Sequence, residues 1–116
     1  MTSNLTRDSK ETIDSRIQRE PEFAIALLDE AISLFLNGDA ETARLVLRDL
    51  VNATVGFEAL AVETERPSKS LHRMLSANGN PTMENLAAIL AAILAVLRRQ
   101  LNVRIEVHVV AEVSEL

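Results

Sequence analysis

The chain has 116 residues, 47% of them hydrophobic, with 12 basic and 17 acidic side chains and a formal net charge of −5. That length fits one domain, the apolar fraction excludes wholesale disorder, and the absence of cysteine removes disulfide scaffolds, thiolate metal sites and thiol catalysis. Two histidines, His72 and His108, leave little for a histidine metal site or triad, three phenylalanines make no base-stacking platform, and the net charge argues against binding polyanions with the whole surface.

The charge is unevenly spread. Residues 1–65 carry six bases against thirteen acids. Residues 66–105 carry six bases (Arg66, Lys69, Arg73, Arg98, Arg99 and Arg104) against one acid, Glu84. The last eleven residues add Glu106, Glu112 and Glu115. Such a chain offers a cationic face to one partner and an acidic face to another, or else a solvated mixed surface.

Residues 1–20 are polar, without an apolar core of signal length, so no secretory leader is expected and the address reads as cytoplasmic. Their few apolar positions show no period, which fits a mobile N-terminal arm or a loosely packed helix. The helical domain is expected over 21–101. From Glu22 to Asn37, Phe23, Leu27, Leu28, Ala31, Leu34 and Phe35 recur at three- and four-residue spacing, with Pro21 suited to the first turn and Gly38 to the stop. Asp39 can cap a second helix that lines Ala43, Val46, Leu47 and Leu50 along one face. Gly56 precedes a short segment, Phe57 to Thr64, and Pro67 precedes another, Ser68 to Ser76. Ser76 to Pro81 is a dense turn signal, after which Asn80 or Thr82 caps a helix reaching about Gln100. The apolar run Leu86 to Leu97 within it spans 12 residues, too short for a bilayer, so no membrane partner is expected. Being apolar all round, it reads as the central buried helix.

After Leu101 the period becomes two. Val103, Ile105, Val107 and Val109 alternate with Arg104, Glu106 and His108, the pattern of a half-buried strand. As the one convincing strand, it leaves its ladder hydrogen bonds unmade. Antiparallel pairing with a second copy across a twofold axis would satisfy them, and an axis near Ile105 sets Arg104 opposite the other chain's Glu106. Residues 102–116 are therefore expected to form a dimerisation strand and tail, with Val103, Arg104, Ile105, Glu106 and Val107 at the interface.

Residues 57–76 read as a helix–turn–helix. Ala61 is small where two helices cross, Leu60 packs inward, and Leu71, Met74 and Leu75 make the inner face of the second helix. Ser68, Lys69, Ser70 and Arg73 then remain outside, short hydroxyls and long cations suited to phosphates and base edges. With Arg66, His72 and Asn78 they form the candidate DNA-contacting set, although the pattern alone also fits a plain helical hairpin. His72 reads first as a packed side chain and second as a DNA contact. Arg98 and Arg99 are favoured by a helix C-terminus with or without phosphate. No paired carboxylates, glycine-rich phosphate loop or nucleophile–base pair occurs, so neither an enzymatic activity nor a cofactor is expected.

From about Glu20 to Val107, roughly three quarters of the chain, the sequence resembles the addiction-module antidote family of small helix–turn–helix antitoxins, related to HigA. The matching residues are Leu60-Ala61, Ser70-Leu71-His72-Arg73, Leu75-Ser76 and Gly79-Asn80-Pro81, in order and at the family's spacing. The resemblance implies an all-α, five-helix, lambda-repressor-like DNA-binding domain. It implies a cytoplasmic homodimeric repressor of its own operon, reading half-sites about 34–36 Å apart, and a RelE-like mRNA-cleaving toxin as partner. An orphan regulator without a toxin, and an interaction module of the same fold that has lost DNA binding, are the rival readings. Glu65 stands where the family has glycine, and a non-glycine residue at positive φ costs about 1 kcal/mol. The turn is therefore expected to differ in detail, as Pro67 also indicates. His72 replaces an aromatic residue. Glu58, near the start of the first helix where relatives often carry glutamine, would repel phosphate. The helix after Pro81 continues past the glycine where relatives often stop.

Overall fold

The computed structural model describes residues 21–113, so the arm expected over 1–20 and the last three residues lie outside the described residues. Five helices follow one another: α1 (Pro21–Leu36), α2 (Ala40–Ala53), α3 (Phe57–Thr64), α4 (Ser68–Met74) and α5 (Met83–Leu101). The architecture is all-α, and no strand forms among the described residues.

Local chemistry sets the boundaries. Gly38, at φ 87°, takes the left-handed conformation that ends α1. Asp39 then caps α2, its carboxylate accepting the Thr42 N–H at 3.2 Å. Thr82, rather than Asn80, caps α5 by accepting the Asn85 N–H at 3.1 Å. Asn102 closes α5 at φ 53°, one of two non-glycine residues in the left-handed region among the described residues.

The core gathers one stripe from each helix. Helix α1 presents Ala24, Leu28 and Ala31, with Phe23, Leu27, Leu34 and Phe35 half-buried at its flanks. The small residues on that ridge fit its extensive packing against α2, which presents Ala43, Leu47, Leu50 and Val51. Leu60 of α3, Leu71 of α4 and Leu75 just beyond it are fully buried beside Ile89, Ile93 and Leu97 of α5. Such side chains contribute about 1.5–3 kcal/mol each relative to exposure.

Helix α5 differs from its expectation. It is not enclosed on all sides: Ile89, Ala92, Ile93, Val96 and Leu97 face the core, whereas Ala87 and Ala91 lie exposed. The run reads as apolar all round because alanine counts as apolar, yet alanine is also the best helix former and is indifferent to water at the surface. No helix among the described residues is long and apolar enough to cross a membrane.

Beyond α5 the chain turns back at Asn102. The Val103 N–H donates to the Arg98 carbonyl at 3.3 Å, and the Arg98 guanidinium donates to the Ile105 carbonyl at 2.9 Å. These contacts seat Ile105 in the core, only 8% exposed, while Val107 and Val109 stand 61% and 85% exposed. Residues 103–113 carry no regular secondary structure in the single chain. Arg104 pairs with Glu106 of its own chain at 2.6 Å, rather than with that of a second copy, and the same carboxylate takes His108 at 3.0 Å.

Candidate nucleic-acid interface

Helices α3 and α4 are joined by Glu65, Arg66 and Pro67. The chain turns at Glu65, whose φ of 56° and ψ of 41° are left-handed. Glu65 thus takes the left-handed conformation that glycine adopts most readily. Two backbone bonds close it, Glu65 N–H to the Val62 carbonyl and Arg66 N–H to the Ala61 carbonyl. The Thr64 hydroxyl, buried under the turn, donates to the Leu60 carbonyl at 2.7 Å. Pro67, at φ −62°, then leads directly into α4.

The faces of α4 divide as its pattern predicts. Leu71 and Leu75 are buried and Met74 is half-buried; Lys69, His72 and Arg73 are exposed, and Ser68 and Ser70 are half-buried. Lys69 and Arg73, four residues apart, share one side of the helix. Asn78 is exposed in the turn that follows. The His72 ring lies stacked on Phe57, centroids 3.8 Å apart and planes 20° from parallel. It therefore covers Phe57 with one face while remaining exposed to water.

Arg66 is placed differently from the other candidates. Its Nε donates to Asn85 Oδ1 at 2.7 Å and its Nη1 to the Thr64 carbonyl at 2.8 Å, tying the end of α3 to the first turn of α5. Three further cations of the basic stretch also have partners in the chain. Arg98 holds Ile105, Arg99 pairs with Glu63 at 3.3 Å, and Arg104 pairs with Glu106. Of the six cations in residues 66–105, the side chains of Lys69 and Arg73 alone lack a partner among the described residues. Exposed pairs such as Arg99 with Glu63 are worth under about 1 kcal/mol, so the contrast lies in availability rather than stability.

One contributor, Arg44, escapes the sequence reading, and Gly79, named there for the turn and the resemblance, has a packing role that the sequence does not give. Arg44 of α2 donates from Nε to the Ser76 carbonyl at 3.0 Å and from Nη2 to the Ala77 carbonyl at 2.7 Å. Gly79 packs onto the end of α4 so closely that a Cβ there would lie 2.3 Å from the Met74 carbonyl oxygen and 2.6 Å from that of Arg73. The turn signal over 76–81 marks the neighbourhood of Gly79, but nothing local marks Arg44, whose bonds span 32 and 33 residues.

The arrangement can hold anions through free cations and read base edges through short polar groups. Among the described residues no cluster of His, Asp or Glu is set to bind a metal ion. No family model, curated protein or solved structure matches the chain.

Proposed function

We propose that this protein is a sequence-specific DNA-binding repressor in which α3, the Glu65 turn and α4 act as a helix–turn–helix. The observation that carries the reading is the pair of free cations on α4. Among the described residues, Arg44, Arg66, Arg98, Arg99 and Arg104 are engaged within the chain and Arg48 of α2 stands exposed by itself, whereas Lys69 and Arg73 project together from one exposed side of a helix whose other side is anchored by Leu71. Arg73 suits the two acceptors of a guanine, and Lys69 suits a phosphate. His72 and Asn78 are exposed on and just beyond the same helix, and Ser68 and Ser70 are half-buried on it. Arg66 acts mainly as a brace.

In this reading the chain works as a cytoplasmic homodimer. Ile105 is pinned while the valines beyond it stay uncovered, and the backbone from Arg104 onward lacks ladder partners. A second copy running antiparallel would cover both, and Arg104 and Glu106 would exchange their pairing within the chain for pairing across the axis. The family resemblance extends the proposal to an antitoxin that autoregulates its operon and neutralises a RelE-like toxin. The acidic residues of α1 and α2 are of the charge a cationic nuclease would meet.

Fluorescence anisotropy of the protein on DNA from upstream of its own reading frame, beside scrambled DNA at two salt concentrations, tests the reading. Preferential binding to the native fragment that weakens steeply with salt is the expected result. Equal weak binding to both fragments would overturn it. Exposed Glu58 and Glu65 favour one second reading, a protein-interaction module of the same fold without DNA. Absence of any binding at low salt would bring that reading forward.

A further inference from the structure

Helix α4 has seven residues, about 10 Å of helix, which is too short to hold its own conformation or direction in water. Its direction must come from outside. Leu71 and Leu75 fix its depth, but apolar contacts are non-directional and tolerate rotation and sliding. Directional restraint comes from hydrogen bonds, and these lie just past the two ends of the helix. Before it stands Arg66, tied to Thr64 and Asn85. After it stands Arg44, whose rigid fork takes two successive carbonyls, Ser76 and Ala77, from the neighbouring helix α2. The Ser76 carbonyl also accepts the Gly79 N–H at 3.1 Å, so the strap that leaves α4 is folded under it and gripped there.

We propose that Arg44 is a positioning residue for α4. It fixes the C-terminal end of the helix so that Arg73 and Asn78, on either side of the gripped carbonyls, meet DNA in one geometry, and it does so without touching DNA itself. A planar guanidinium bonding two consecutive carbonyls sets orientation as well as distance. A lysine keeps the charge but not the fork. The inference rests on the DNA-binding reading above.

The test uses the full chain, wild type and Arg44→Lys, at a temperature where circular dichroism shows both fully folded. Three quantities are read: the ratio of affinities for the native upstream fragment and a scrambled one, the salt dependence of binding, and hydrogen exchange at the amides of Leu75, Ser76 and Gly79. The variant is expected to lose about tenfold in the affinity ratio, comparable to one mismatched base pair, with an unchanged salt slope and faster exchange at those amides. A purely stabilising role would leave the affinity ratio of folded protein intact and would overturn the proposal. A salt slope lowered by about one, with the ratio retained, would also overturn it by making Arg44 a phosphate contact. Failure of the wild type to prefer its own fragment would bring down the DNA reading itself. A wild-type preference that Arg44→Lys retains would bring down only the positioning role.

Discussion

Helix α4 and the segment 103–113 both expose side chains, and the two exposures have opposite physical meanings. On α4 the exposed groups are Lys69, Arg73 and His72, and the first two put charged atoms on a helix that bonds its own backbone. Water solvates them fully, so the face is stable while empty and attracts anions when they come. On 103–113 the exposed groups include Val103, Val107, Val109, Val110 and Val113, interleaved with charged side chains on a backbone without regular secondary structure. Water solvates that surface poorly, and an apolar edge is a template for another chain. The first surface is therefore stable bare in water, whereas the second would gain from being covered.

The largest effect expected concerns what holds the first surface in place. Leu71→Ala removes the fully buried side chain under α4 and should cost about 2–5 kcal/mol of stability, read by urea denaturation. The change lies in the anchor and not in the cations. DNA affinity should then fall in step with the folded fraction and recover where the variant is fully folded.

Next in size are the cations themselves. Arg73→Ala should cost about 1–3 kcal/mol on the native fragment and relax sequence preference if it reads a guanine. Lys69→Ala should weaken all DNA alike and lower the salt slope by about one. Anisotropy titrations over a salt series separate the two, and a uniform loss from Arg73→Ala would reassign it to positioning on phosphate.

The second surface is broken by one charge. Val107→Asp puts a carboxylate on the exposed apolar row without touching the buried Ile105. It should weaken self-association at least about tenfold, or ~1.4 kcal/mol, while leaving the helical circular dichroism spectrum unchanged. Sedimentation of the wild type as a monomer at tens of micromolar would remove the dimer outright.

These two regions were also unequally legible in the sequence. The five helices follow from three- and four-residue spacing and from caps at Gly38, Asp39 and Thr82, because those signals are local. The split of α4 into Leu71 and Leu75 inside and Lys69 and Arg73 outside is local as well. Which cations are free is not. Arg66 stands in the turn looking like a ligand group until its bond to Asn85, 19 residues on, is seen, and Arg44 looks like a surface residue. The all-round apolar character of α5 misleads for a different reason, since exposed Ala87 and Ala91 carry no mark that separates them from buried Ala92. The strand pattern of 103–109 is plain in the sequence, but a ladder needs a second partner, and the described residues supply none.

The smallest effect tests the point where turn and surface meet. Glu65 holds φ 56° without being glycine, so the fold carries a local conformational cost of about 1 kcal/mol there. Glu65→Gly removes that strain but gives the unfolded chain more freedom to lose, so the net gain in stability should be under about 1 kcal/mol, a rise of a few degrees in Tm at most. The same change deletes a carboxylate from the turn that leads into α4, and DNA affinity should rise more at low salt than at high salt. Glu65→Asn separates the causes, because asparagine tolerates the left-handed conformation and also lacks the charge. If both variants bind DNA equally better and differ only in Tm, the glutamate acts on DNA through charge and on the fold through backbone strain. If neither binds better, Glu65 lies away from the anion-facing side, and the surface on α4 is narrower than Lys69, Arg73 and the turn together.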